Sequence, residues 1–367
     1  MSGWPDVALG EVCEFKYGRA LPAANRVSGP SLVYGSNGMV GTHTESLTSG
    51  PTIIIGRKGS FGEVHYCVSP CWPIDTTYFV DSTSSKADLR WLAYRLRALG
   101  LKNLNRAAAI PGLNREDAYR QRLLLPPISE QRRIVAILDQ ADDLRAKRAQ
   151  VLARIDALNQ SIFHDMFGRV EASSTVEDVA VNIRTGPFGS QLLHGEFVDE
   201  GVAVLGLDNV VQNEFSWVGK RFITHEKYEK LRRYTVNPGD VLISIMGTTG
   251  RCVIVPEDIG PAINTKHMCA ITVDRERVDP EFLRASFLWH PESRAHLLRQ
   301  TKGSIMDGLN MGIIKSMPVP LPTLSRQREF ARRIAQVGVQ RTCVRRVSDA
   351  EDALFRSLQS RAFRGEL

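Results

Sequence analysis

Gly112-Leu113-Asn114, eleven residues, then Pro126-Pro127-Ile128-Ser129-Glu130-Gln131-Arg132 is a stretch that this chain writes twice. The second copy reads Gly308-Leu309-Asn310, eleven residues, then Pro322-Thr323-Leu324-Ser325-Arg326-Gln327-Arg328. Asn and Gln are 17 residues apart in both, and the copies are offset by 196 residues. Solenoid repeats recur every 20 to 50 residues or so, whereas an offset this long denotes two whole domains of one design. Each copy also opens a long helix.

Beyond the first copy, Ile134, Leu138, Ala141, Leu144, Val151, Ile155, Leu158, Ile162 and Met166 fall mostly three or four apart, which is a heptad-like seam. Pro126-Pro127 resist helix and set its start, Ser129 is the expected N-cap, and Gly168 is the stop. About 38 residues at about 1.5 Å each make a rod near 57 Å long. The pattern returns at Ile334, Val337, Val344, Val347, Leu354, Leu358 and Ala362, ending at Phe363-Arg364-Gly365. Two long, single-faced rods in one chain most simply pack on each other. The alternative is that each packs on its own domain.

The segments ahead of the rods carry short β-branched runs bounded by turn residues, Pro51 to Gly56 in one and Gly239 to Gly247 in the other, and such runs are strands. Gly-punctuated loops follow at Arg57-Lys58-Gly59-Ser60-Phe61-Gly62 and Thr248-Thr249-Gly250-Arg251. Further strands are expected near Asp75 to Val80 and Asn264 to Val273, and helices at about Asp88 to Leu99 and Pro280 to Leu298. The expected class is α+β: similar mixed domains at residues 1–127 and 169–323, with long helices at 128–168 and 324–367.

A chain of 367 residues exceeds what one core normally organises. It has 43% hydrophobic and 24% charged residues, an ordinary globular balance. Met1 to Asp6 has no basic leader and no run of 18 apolar residues occurs, so a cytoplasmic location is expected. Forty-seven Lys and Arg against forty Asp and Glu give +7, which is compatible with a polyanionic partner. The scattered cysteines, Cys13, Cys67, Cys71, Cys252, Cys269 and Cys343, read as buried, reduced thiols. His65, Cys67 and Cys71 lack a further ligand at finger-like spacing, so no metal is expected.

Enzymatic patterns are missing. There is no Gly-x-x-x-x-Gly-Lys-Ser/Thr loop for a nucleotide's phosphates. Gly56, Gly59 and Gly62 follow a strand, but Arg57 and Lys58 fill a turn that dinucleotide folds keep small. Asp6, Glu14 and Lys16 imitate a nuclease centre, yet residues 176–184 do not repeat the Glu and Lys. Pro126-Pro127 has Leu125 before it and Ile128 after it, not the Asn or Asp and the aromatic that hold a target amine. No catalytic centre is expected. The loops instead supply Ser, Thr, Asn, Gln, Arg and Lys beside exposed glycine backbone, groups that contact phosphates and can read base edges.

Taken together, the TGPFGS stretch at 185–190, YGSNG at 34–38, PGDVLIS at 238–244, both Pro-x-x-Ser-x-Gln-Arg helix starts and AFRGEL at 362–367 make the chain resemble the specificity subunits of type I DNA restriction-modification systems. That resemblance implies two target-recognition domains, each reading half of a split duplex sequence, separated by an antiparallel coiled coil of two helices with approximate two-fold symmetry. The coiled coil would act as a ruler for the unread gap. It also implies double-stranded DNA and two methyltransferase subunits as partners, with room for restriction-motor subunits. Adenine methylation, with S-adenosylmethionine, would belong to the methyltransferase subunit, leaving this chain non-catalytic and without a cofactor.

By position in the family pattern, the expected DNA contacts are Tyr34, Ser36, Asn37, Arg57, Lys58 and Ser60 in one domain. In the other they are Arg184, Ser190, Gln191, His194, Thr248, Thr249, Arg251 and Lys266. The domains differ most in these loops, which implies a target that is not a palindrome. Gln131, Arg132, Gln327 and Arg328 recur although neither periodicity nor capping requires them, so they are the expected docking residues for partner subunits. The alternative is a two-domain scaffold or adaptor that binds protein and has no DNA specificity.

Overall fold

Ile53, Ile54 and Ile55 have no solvent exposure, and β-branched side chains of this kind fit the pleated interior of a sheet. The computed structural model of the chain describes residues 3–104, 112–210, 213–218, 220–301 and 308–367. Met1 and Ser2, part of the stretch read for a leader, lie outside them. The chain divides into one unit of residues 1–149 with 346–367 and a second of 150–345.

In the first unit the elements run β1 (Asp6–Ala8), α1 (Leu9–Val12), β2 (Lys16–Tyr17), β3 (Ser31–Gly35), β4 (Gly38–His43), β5 (Thr52–Gly56), β6 (Val64–Cys67), β7 (Cys71–Pro73), β8 (Thr77–Asp81), α2 (Leu89–Ala98), α3 (Arg115–Tyr119) and β9 (Arg122–Leu124). Helix α4 (Ile128–Phe167) then enters the second unit, which continues with β10 (Ala172–Thr175), α5 (Val176–Val179), β11 (Ala180–Thr185), β12 (Val202–Leu205), β13 (Phe222–Ile223), α6 (His225–Leu231), β14 (Thr235–Val236), β15 (Val241–Ser244), β16 (Cys252–Ile254), β17 (Ala262–Asn264), β18 (Met268–Val273), α7 (Pro280–Trp289), α8 (Pro291–Thr301), α9 (Met311–Lys315) and β19 (Pro318–Pro320). Helix α10 (Leu324–Arg364) returns to the first unit.

The duplication holds in three dimensions. A four-stranded antiparallel sheet in the order β2-β8-β5-β6 has its counterpart in β11-β18-β15-β16. A second sheet, β4-β3-β7, is matched by β13-β12-β17-β14, with one parallel pair in each, β3 with β7 and β12 with β17. Asp88 caps α2 and Asp279 caps α7. Asn114 caps α3 and Asn310 caps α9, so the repeated Gly-Leu-Asn is a cap with a buried leucine ahead of it, Leu113 and Leu309 being 3% exposed.

Three expectations need correction. Residues 280–298 do not form one helix, because Pro291 forces His290 out of the α region and starts α8 separately. Ser129 lies inside α4, which begins one residue earlier with Pro127 O accepting from the N–H groups of Glu130 and Gln131. Three of the nine seam residues also face out, Leu144, Val151 and Leu158 being 55%, 39% and 45% exposed, whereas Ile134 and Leu138 are buried and Ala141, Ile155, Ile162 and Met166 half-buried.

Inside the first unit, α4 and α10 are antiparallel, joined by Arg145–Asp352 at 2.5 Å, Arg148–Glu351 at 3.1 Å and Arg133 to the carbonyl of Leu367 at 2.7 Å. Inside the second they are antiparallel again, through Arg341–Asp156 at 2.6 Å and Arg326 to the carbonyl of Met166 at 2.9 Å. Arginine takes seam positions because its stem covers apolar surface while its head meets acids across the pair, as where the Arg145 guanidinium lies 4.4 Å from the Phe355 ring centre.

The rods also pack on the domains, so the two readings of the rods were not exclusive. Ile134, Leu138, Phe355, Ala362 and Phe363 enter the core of the first unit. Phe163, Phe167, Phe330 and Ile334 enter that of the second, where Phe163 and Phe167 pack in tilted and edge-on contact with Phe282 and Phe330.

Candidate nucleic-acid interface

In the first unit a single backbone segment, Asp75-Thr76, gathers three of the six expected contact residues, Ser36, Arg57 and Lys58. Ser36 Oγ donates to Thr76 O at 2.6 Å, and the N–H groups of Arg57 and Lys58 donate to the same carbonyl at 2.9 and 3.2 Å. Arg57 also donates from Nη2 to Asp75 O at 2.6 Å, and its guanidinium lies over the rings of Tyr17 and Tyr78, 5.3 and 5.9 Å from their centres. Ser36 is buried and holds the ledge together, whereas Asn37, Lys58 and Ser60 are exposed on it. Tyr34 is half-buried, and burial, aided by Cys67, pushes its hydroxyl up to about 12.

The loop after β15 in the second unit repeats that backbone bond for bond. Gly56 N–H donates to Glu63 O and Ser244 N–H to Arg251 O, both at 2.8 Å; Gly62 N–H donates to Gly56 O and Gly250 N–H to Ser244 O, at 2.8 and 2.9 Å. Gly59, Gly62, Gly247 and Gly250 all have φ between 70° and 77°, a region that side chains resist, which is why glycine recurs there. One frame therefore carries different side chains: Arg57, Lys58 and Ser60 in one unit and Ile245, Met246 and Thr248 in the other, where Ile245 and Met246 turn to the core and Thr248 is exposed.

The eight residues expected in the second unit do not form one group. Thr248, Thr249 and Arg251 line a polar cleft of about 670 Å³ with Gln160, His164 and Arg294. His194 and Lys266 line another, of about 540 Å³, with Pro187, Gly189, Asp208, Arg221 and His267. Ser190 and Gln191 are exposed in the preceding turn, and Gln191 Oε1 accepts from the Tyr234 hydroxyl at 2.7 Å. Arg184 is a correction. Only 7% exposed, it is ion-paired with the buried Asp240 and donates to Thr235 O at 2.6 Å and Thr272 Oγ1 at 2.8 Å, so it braces strands and does not reach outward.

Asp208, Arg221 and His267 were missed, since Leu205-Gly206-Leu207-Asp208-Asn209 shares little with Tyr34-Gly35-Ser36-Asn37-Gly38 beyond one glycine. Burial, with Lys266 beside it, lowers the pKa of His267 and favours the neutral ring near pH 7.

A family model for the type I restriction modification DNA specificity domain matches residues 1–156 and 204–342. This chain belongs to that family. The specificity subunit of the type I restriction enzyme EcoBI from Escherichia coli is 24% identical over 349 residues, 86% of this chain and 73% of that one. The MjaVIII specificity subunit from Methanocaldococcus jannaschii is 23% identical over 264 residues, 66% of this chain and 61% of that one. The crystal structure of the S subunit of a type I restriction-modification system from M. genitalium has the same fold, with a TM-score of 0.61 at 14% identity over 98% of this chain and 96% of that one. A chain from a structural study of complex assembly and conformational transition in the type I system gives 0.57 at 15%, over 100% and 99%. The chain is thus a DNA specificity subunit, a recognition component and not the catalytic one.

In this specificity subunit the repeated glutamines have a structural explanation. Gln131 is 1% exposed, accepts from Asp88 N–H at 2.8 Å and donates to Pro126 O at 2.8 Å. Gln327 is fully buried, accepts from Asp279 N–H at 2.9 Å and donates to Pro322 O at 2.8 Å. Each pins the start of a long helix to the cap of a shorter one. Neither can meet a partner, so the docking expectation fails for Gln131 and Gln327, while Arg132 and Arg328 are exposed.

The thiols need one correction too. Cys343 is exposed, whereas burial pushes Cys13, Cys252 and Cys269 up to about 12. Lys16 forms an ion pair with Asp81 at 3.1 Å and Asp6 one with Arg122 at 3.3 Å. Among the described residues no helix is long and apolar enough to cross a membrane.

Proposed function

We propose that each domain of this specificity subunit reads one half of a split, non-palindromic duplex sequence, and that the length of the helix pair sets the number of unread base pairs. The observation that carries this reading is the repeated glycine loop, one hydrogen-bonded frame that exposes Lys58 and Ser60 in one unit and Thr248 in the other. The contacts in the first unit are Tyr34, Asn37, Arg57, Lys58 and Ser60. In the second they are Ser190, Gln191, His194, Thr248, Thr249, Arg251 and Lys266. Two methyltransferase subunits bind the chain and supply S-adenosylmethionine and adenine methylation, and restriction-motor subunits can join them. Duplication supports the pairing, because equivalent helix positions leave apolar side chains half-exposed, Val151 and Leu158 on α4 and Val347 and Leu354 on α10. We assign methyltransferase docking to these faces with Arg132 and Arg328. The family match disfavours a scaffold without DNA specificity.

The test is a domain exchange. With residues 1–127 replaced by those of another family member and the methyltransferase co-expressed, mapping methylated adenines should show one half-site changed and the other kept. A change in both halves would overturn the modular reading.

A further inference from the structure

The turns after β3 and β12 occupy one register in the two units. Tyr34 lies opposite Pro73 and Leu205 opposite Asn264 in the parallel pairs. The next bonds also match, with Ile74 N–H donating to Tyr34 O and Thr265 N–H to Leu205 O, each at 2.9 Å. Gly35 therefore corresponds to Gly206, Ser36 to Leu207 and Asn37 to Asp208. Both turns lean on the glycine loop, for a Cβ on Gly56 would come within 3.2 Å of the Ser36 side chain and one on Gly247 within 3.1 Å of that of Leu207.

At that shared position the side chains differ in chemistry. Asn37 presents an exposed amide. Asp208 presents a carboxylate, one-third exposed and ion-paired to Arg221. The pair lies hard against the turn, since a Cβ on Gly206 would meet Arg221 Nη2. Asn209, 2% exposed, fixes the turn by accepting from Gly206 N–H at 2.9 Å and donating to Ser216 O at 2.7 Å. The Arg221 guanidinium lines the cleft of His194, Lys266 and His267, and its buried Nε has no hydrogen-bond partner. Ion pairs this exposed add little to stability.

We propose that this register is a base-reading position in each domain, with Asn37 contacting the adenine of an A·T pair in one half-site and Arg221, held by Asp208, contacting the guanine of a G·C pair in the other. The proposal rests on the DNA-reading function above. An asparagine amide donates to adenine N7 and accepts from its N6 amino group, while a guanidinium donates to guanine O6 and N7 together. A carboxylate on one edge of the fork fixes its direction before DNA arrives, which lowers the ordering cost of the contact.

The chain is co-expressed with its methyltransferase partner and methylated adenines are mapped across a genome. Asn37→Ala should relax one A·T position in one half-site, and Arg221→Ala one G·C position in the other, each by roughly ten- to a hundred-fold in selectivity. Asp208→Asn and Arg221→Lys should relax that same G·C position, because the first loosens the fork and the second cannot make the paired contact. If the unaltered complex methylates a defined split sequence and these variants leave every position as it was, or blur several positions alike, the assignment is wrong. If the unaltered complex methylates no defined sequence, the reading beneath it fails first.

Discussion

Arg184 and Asp240 form a buried charge pair whose hydrogen bonds to Thr235 O and Thr272 Oγ1 tie strands of the second unit together. Removing one partner strands the other away from water. Asp240→Ala should therefore cost about 3–5 kcal/mol in urea unfolding. Gln131→Ala and Gln327→Ala leave a helix-cap N–H and a proline carbonyl unpaired, which should cost about 1–3 kcal/mol each. Below their melting temperatures both glutamine variants should still bind the methyltransferase in a pull-down, as expected of staples and not of docking residues. At this scale the sequence was least legible. Recurrence marked Gln131 and Gln327 correctly as special, but a buried staple and an exposed contact leave the same trace in a repeated phrase. Arg184 likewise resembles a surface donor until the strands that enclose it are known.

The long helices were legible as elements because spacing and proline punctuation are local properties. Their facing was not. Hydrophobicity alone favours Leu144 and Val151 over Arg145 and Arg148, and only the acids on α10 and the ring of Phe355 reverse that choice. A further tie lies within the second unit, where Glu214 contacts Arg341 at 2.8 Å and Arg345 at 3.1 Å. Burial raises the Glu214 carboxyl, but the bond from Arg341 and the two positive charges outweigh it and hold the carboxyl below its ordinary 4.5. A carboxylate depressed in the folded state adds stability that is present above pH about 4.5 and is lost as pH falls through the folded value. Glu214→Gln should thus destabilise by about 0.5 kcal/mol at pH 7 after screening by solvent. The difference from the parent protein in thermal melts should narrow as pH falls below about 4.5.

For the molecule as a whole, the surplus of +7 predicts duplex binding that weakens steeply with salt. In an electrophoretic shift with the methyltransferase present, affinity should fall by about ten-fold or more between 50 and 200 mM salt if a few phosphates are neutralised. A flat response would show that the surplus charge faces elsewhere. The two-domain plan was open to reading because a whole-domain duplication survives as repeated phrases. The shared turn at Asn37 and Asp208 was hidden, since register is a property of paired strands and those strands meet across long sequence separations.

One feature of the first unit bears on how the protein comes into being. Its core needs Phe355, Ala362 and Phe363, which the ribosome delivers only after the entire second unit has been made. The amino-terminal part therefore waits, incompletely sealed, while more than half of the polypeptide emerges behind it. Chains that stop early should expose Trp91 and Tyr94 to chaperones and proteases. Such truncated chains should be degraded faster than the full-length protein in a pulse-chase.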